Sequence, residues 1–239
     1  MFLNEPPPSQ ADLRFRLFGI PVRVHPFFWL ATLFLGMGGR QAEPRDVLIW
    51  MCVVFVSIVV HEMGHALTQQ RFGGHPWITL YGFGGLASCS DCDRRPSRQI
   101  LISLAGPFAG FLLAGMVVAV IYATGHFVKF VPWWIPVDWT DYEPVAERVI
   151  EYALFVNIIW GLVNLLPIYP LDGGQVSRQL FLMWNSQTGT LKSLQLSFGA
   201  AVLMTVYAVL LNRFYVALMF GFLAYGNYQA IQFYRHHWR

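Results

Sequence analysis

The residues that could do chemistry stand close together in the run His61-Glu62-Met63-Gly64-His65, which sets two imidazoles four positions apart and a carboxylate directly after the first. On an α-helix, positions i and i+4 share a face, so His61 and His65 can both reach one metal ion. Glu62 lies beside that face, where its carboxylate can take a proton from an attacking water. A ligand pair with an adjacent general base is what zinc-assisted hydrolysis requires. Coincidence is a weak competitor, with only seven histidines in 239 residues. A catalytic zinc takes a third protein ligand and keeps a fourth position for water. Asp172 answers that need. It stands in the run from Asn164 to Gly174, NLLPIYPLDGG, where prolines and glycines break a helix and free backbone that must be buried in protein or wetted. In isolation Asp172 reads as part of an ordinary Leu-Asp-Gly-Gly turn; beside the histidine pair the ligand reading prevails. Imidazole and carboxylate also accept other divalent metals.

These side chains need elements to hold them, and the composition says what kind. Hydrophobic residues make up 56% of the chain, charged ones only 12%, and the mean hydropathy is +0.47. That balance suits a bilayer rather than water. Apolar stretches over 24–37, 47–70, 100–124, 146–167, 194–211 and 214–231 approach the length of a membrane crossing. The expected fold class is therefore an all-α polytopic membrane protein of about six transmembrane helices, with a small re-entrant β or loop element at 78–88 after the second. The histidine pair sits deep in the second stretch, after VLIWMCVVFVSIVV. Ionisable residues are costly there and are by default functional.

Residues 1–23 read as a cytoplasmic leader, its first twelve disordered around Pro6, Pro7 and Pro8; 24–234 as one transmembrane domain carrying the metal site; and 235–239 as a short tail. On six crossings most of the sixteen basic residues, among them Arg14, Arg16, Arg23, Arg94, Arg95 and Arg98, fall on one side. The positive-inside rule then puts both termini in the cytoplasm, in a cell inner membrane, and Asp138, Asp141, Glu143, Glu147 and Glu151 outside. The net charge of +3 is too dispersed for nucleic acid. Trp133, Trp134 and Trp139 suit either an interfacial belt or loop packing. Gly106, Gly110 and Ala114 form a small-residue strip for close helix packing. Cys52 lies in an apolar stretch. Cys89 and Cys92 make a single CxxC, too little for a disulfide framework and short of the ligands a structural zinc wants, so a solvated loop is the favoured reading. His75 and His126 read as loop residues, and His236 and His237 as interfacial ones.

The HExxH in an early apolar stretch, followed roughly a hundred residues later by NxxPxxPLDGG, resembles the site-2 protease family of intramembrane zinc metalloproteases, in particular the compact bacterial branch that includes sporulation-factor processing proteases. The resemblance extends to GIPVRVHP over 19–26, Gly84-Gly85 and Ala105-Gly106-Pro107. It implies one zinc ion on His61, His65 and Asp172, Glu62 as catalytic acid/base, and Asn164 stabilising the reacting carbonyl or holding substrate backbone. It implies hydrolysis of peptide bonds within or near transmembrane segments of other membrane proteins, with a transmembrane protein and the lipid bilayer as partners. It also implies that 78–88 offers a strand edge to an unwound substrate, against the plainer reading of a glycine-rich loop. Two other functions stay open: a non-enzymatic membrane metal binder or transporter, and a zinc peptidase acting on soluble peptides at the membrane surface. Glu62 separates the first of these from an enzyme, because a binder needs the ligands but not the carboxylate.

Overall fold

Alternating side chains open the architecture. Leu13–Leu17 (β1) and Ile20–Val24 (β2) form an antiparallel hairpin closed by Phe18 and Gly19, both at positive φ (49° and 81°). Two left-handed central residues give a turn whose twist matches that of the strands it joins. The computed structural model describes residues 5–37, 43–82, 84–125 and 144–237; Phe83, His126, Trp133, Trp134, Trp139, Asp138, Asp141 and Glu143 lie outside them. After the hairpin come the helices Pro26–Met37 (α1) and Pro44–Arg71 (α2). The strands Trp77–Tyr81 (β3) and Gly84–Ser88 (β4) follow. β3 pairs in parallel with β2 and antiparallel with β4, so the sheet runs β1-β2-β3-β4. Then come Pro96–Ala123 (α3), Pro144–Leu154 (α4), a π-helical stretch Phe155–Trp160, Gly161–Asn164 (α5), Asp172–Trp184 (α6), Gly189–Leu210 (α7) and Phe214–His237 (α8).

The chain divides into two units. In the first, built from Leu3–Cys92 and Ala105–Gly161, one face of the sheet (Ile20, Val22, Val24, Ile78, Leu80) packs with Phe28 of α1 and with Val54, Val59, Met63 and Ala66 of α2. α2 starts with a proline in its first turn, where a missing N–H costs nothing, and it ends before Gly73, whose φ of 89° suits glycine. A Cβ on Gly64 would stand 2.9 Å from the Ala105 carbonyl carbon and from the Ala109 side chain, so this glycine is what lets α2 and α3 touch backbone to backbone. The second unit, Asp93–Leu104 and Leu162–Arg239, buries Ile168, Ala201, Phe220 and Ala224 in a core of its own.

The chain is largely helical and polytopic, yet the expected all-α fold of about six crossings needs two corrections. The first is the sheet. Two of its strands lie in what reads as a leader, and the described part of that leader is anchored: Glu5 accepts hydrogen bonds from Thr79 Oγ1 (2.5 Å), Arg23 Nη2 (2.7 Å) and Trp77 Nε1 (3.2 Å). The second is the number of spans. Among the described residues, three helices are long and apolar enough to cross a bilayer, α2, α3 and α7. α1 has 12 residues, which at 1.5 Å per residue reach about 18 Å, well short of the hydrocarbon core. The stretch 146–167 is divided among α4, the π-helical residues and α5. α8 is long, but Asn227, Gln229, Gln232 and its tyrosines dilute its apolarity. Along α3, Leu101, Leu104, Phe108, Leu112, Met116 and Val120 recur three or four apart and are all exposed, an outward apolar stripe of the kind that a bilayer covers.

Candidate active site

Helical spacing brings the two imidazoles together as expected. His61 Nε2 and His65 Nε2 are 3.2 Å apart, with their rings at 76° to each other. Two nitrogens at about 2.05 Å from a tetrahedral zinc are about 3.3 Å apart, so the pair already has the bite of a zinc-binding site. Glu62 is buried, as is His65, in a helix whose neighbouring residues are apolar. The Glu62 carboxylate lies against β4: a Cβ on Gly85 would stand 2.5 Å from Glu62 Oε1 and 2.6 Å from its carboxyl carbon. Only glycine at 85 leaves room for the carboxylate beside the strand.

Gly106 does more than the close helix packing that its spacing suggests. It belongs to the small-residue strip, and Gly110 does lie against Asn157 as a packing position should. Yet a Cβ on Gly106 would stand 2.7 Å from His61 Nε2 and collide with His65 Nε2. The α3 backbone therefore borders the histidines directly. Pro107 follows and leaves the Ser103 carbonyl without its usual helical donor. One turn before His61, Ser57 accepts a hydrogen bond from Asn157 Nδ2 at 2.8 Å; both residues are buried, and Asn157 lies in the π-helical stretch. π-Helical turns are concentrated at functional sites. The signal for Asn157 in the sequence was only a lone amide in an apolar stretch.

In the second unit, Asn164 ends α5 and Asp172 begins α6. The loop between them is held by side chains that the sequence did not single out. The Tyr169 N–H donates to Ser197 Oγ (3.0 Å), Asn227 Nδ2 donates to the Tyr169 carbonyl (2.7 Å), and Ile168 is fully buried. Gly173 and Gly174 let that loop fold back over the start of α6: a Cβ on Gly173 would stand 2.6 Å from the Leu166 carbonyl oxygen. Of the metal-ligating residue types among the described residues, His61 and His65 meet on α2 in the first unit, Asp172 stands at the start of α6 in the second, and Cys89, Asp91 and Cys92 form a group of their own. Cys89 and Cys92 are joined as a disulfide within a loop whose Ser90 and Asp91 are exposed.

Comparison with known proteins gives this geometry a class. The model of peptidase family M50 matches residues 49–208, from the start of α2 into α7. The chain belongs to that family of zinc metalloproteases, the same one as the bacterial sporulation-processing proteases it resembles. It is 25% identical over 224 residues to a zinc metalloprotease of Methanocaldococcus jannaschii, spanning 90% of this chain and 59% of that one. It is 28% identical over 174 residues to stage IV sporulation protein FB of Bacillus subtilis, spanning 70% of this chain and 49% of that one. The chain thus spans about half the length of these relatives. The solved structure of a site-2 protease from M. jannaschii superposes with a TM-score of 0.56 at 23% identity, over 92% of this chain and 95% of that one, a likeness of fold.

Proposed function

We propose that this chain is an intramembrane zinc metalloprotease that hydrolyses peptide bonds within or near transmembrane segments of other membrane proteins. The observation that carries the reading is the 3.2 Å approach of His61 Nε2 and His65 Nε2 in an apolar helix, with the Glu62 carboxylate buried beside them. His61, His65 and Asp172 would hold the ion, two imidazoles and one carboxylate, with a fourth position for water. Zinc, when bound, polarises the scissile carbonyl and acidifies the water. Glu62 accepts the proton of the attacking water and returns it to the leaving amine. Asn164, assigned by resemblance, donates its amide N–H to the substrate carbonyl or backbone. Residues 84–88 offer a strand edge to a substrate segment that has given up its own helix, and the mixed β2-β3-β4 pairing supports a strand over a plain loop here.

Orientation belongs to the same proposal. Arg71, Arg94, Arg95 and Arg98 connect α2 to α3, which sets that connection on the cytoplasmic side of an inner membrane. β2 runs beside β3, so the N-terminal hairpin shares that side, and α1, short as it is, must then be completed by neighbouring residues to carry the chain to the far side where α2 begins. The Arg235 end of α8 is assigned to it as well. The site then falls in the cytoplasmic half of α2, three turns or less from Arg71.

The test is cleavage of a single-span reporter by the purified protein in lipid, with Glu62→Gln as the matched control and zinc measured in both. Cleavage by wild type alone, with zinc retained in the variant, is the expected result. A variant that cleaves as fast as wild type would remove Glu62 from the chemistry. A zinc-loaded wild type inert toward a panel of single-span substrates would favour a metal binder or transporter.

A further inference from the structure

The loop after β4 holds a group of side chains that the proposed hydrolysis does not use. Cys89 and Cys92 flank Asp91, and one ligand atom from each of the three lies within 4.8 Å of the others. Cys89 Sγ is 3.3 Å from Asp91 Oδ1. His75, sixteen residues earlier, is fastened to the same carboxylate twice: its backbone N–H donates to Asp91 Oδ1 at 2.9 Å, and its Nδ1 is 2.6 Å from Asp91 Oδ2. The backbone beneath is shaped for the sulfurs, since a Cβ on Gly74 would stand 2.8 Å from Cys89 Sγ and collide with Cys92 Sγ. A bare disulfide would need neither the carboxylate nor the imidazole. Once the disulfide is reduced, two thiols, a carboxylate and an imidazole are left on neighbouring backbone, and sulfur with imidazole selects a soft divalent ion over magnesium or calcium.

We infer that Cys89, Cys92, Asp91 and His75 form a cation site of their own for a zinc-like ion, available when the two cysteines are reduced and abolished when they are joined. Sulfurs on one tetrahedral zinc are about 3.8 Å apart, so ligation requires reduction to part the two sulfurs that the disulfide now joins, and the His75 ring, 88% exposed, can turn from Asp91 to the ion. The balance is simple. A small dithiol reduces the cystine to two thiols and is itself oxidised to its cyclic disulfide; the two thiols then lose two protons as the divalent ion binds. The bound form ties the end of β4 to the segment that follows α2, by bonds stronger than the His75–Asp91 contact that links them in the oxidised form.

The test uses the full chain in detergent or lipid and reads cobalt(II) absorption, because only thiolate ligands give the near-ultraviolet charge-transfer band. The histidine pair with a carboxylate cannot produce it. Reduced wild type should show the band and bind one more zinc per chain than the same protein oxidised, a comparison that needs no substitution. Cys92→Ser should weaken the band, the double variant Cys89→Ser/Cys92→Ser should abolish it, and His75→Ala should weaken cobalt binding at least tenfold. Reduced protein without the band, a band that survives Cys89→Ser/Cys92→Ser through Cys52, or equal zinc content in the two redox states would each overturn the inference.

Discussion

At the scale of single residues, two glycines carry unusual weight because their missing side chains are space that the functional groups occupy. Gly106→Ala should place a methyl against both imidazole nitrogens. Its zinc affinity should fall roughly ten- to a hundredfold, in line with other changes just outside a ligand shell, read by elemental analysis after dialysis. Gly115→Ala on the same helix meets nothing within 4 Å and should keep its metal. Gly85→Ala tests the other functional group: its methyl displaces the Glu62 carboxylate, so cleavage of the reporter should drop roughly a hundredfold while zinc stays bound. Equal zinc loss in the two variants would mean that the glycines do no more than pack helices. Neither role was visible in the sequence, where Gly106 read as packing and Gly85 only as part of a family-like pair. A spacing pattern says which residues share a helix face, but not which backbone comes to lie against them.

At the scale of elements, the proposed ligands hang on polar clamps inside apolar helices. Ser57 and Asn157 join α2 to the π-helical stretch, and Ser197 and Asn227 hold the loop before α6. Ser57→Ala and Asn157→Ala should each cost about 1–3 kcal/mol, the cost of leaving a buried partner unsatisfied, and the double variant should lose less than the sum. Strict additivity in thermal or denaturant unfolding would show that the bond contributes nothing. Much at this scale was legible. The long apolar α2, α3 and α7 follow from hydropathy, and the helix carrying HExxH follows from spacing. The sheet was not. Its strands are five residues each, and the parallel pairing of Val22 with Ile78 spans two intervening helices, so no local pattern announces it. The alternation in LRFRL and IPVRV was present, but the prolines before it drew the reading toward disorder. Likewise, hydropathy over 146–167 reports composition and is blind to the break that the π-helical residues introduce.

At the scale of the whole molecule, charged fastenings gather at the ends of the apolar helices, at the start of α2 and of α3. Asp93 accepts hydrogen bonds from Arg95 and from Arg98 Nη1, and Gln99 Nε2 donates to its backbone carbonyl. A carboxylate here also offsets the positive end of α3, which begins among arginines. The hydrogen bonds and charge of Arg95, with Arg98 adding its own charge, hold the Asp93 carboxyl down at about 2, against an ordinary 3.8. Because the folded value is depressed, this fastening contributes fully above the ordinary value and is lost as pH falls through 3.8 toward about 2. Thermal midpoints of wild type and Asp93→Asn should therefore differ at neutral pH and converge near pH 2. Zinc should leave at milder acidity, since protons compete for ligand nitrogens, and chelation at neutral pH should reproduce that loss without touching the Asp93 fastening; elemental analysis alongside the melts separates the two events.

The two outer strands of the sheet differ in chemistry. β1 carries Arg14 and Arg16 among its five residues, whereas β4, Gly-Gly-Leu-Ala-Ser, carries no charge and has no further strand beside it among the described residues. Charge on an edge strand discourages another chain from annealing to it, and a neutral edge gives no such protection. Outside a bilayer, in detergent or during refolding, copies of this protein would therefore stick to one another through β4 rather than β1, and the handling hazard of the molecule falls on the strand that borders Glu62.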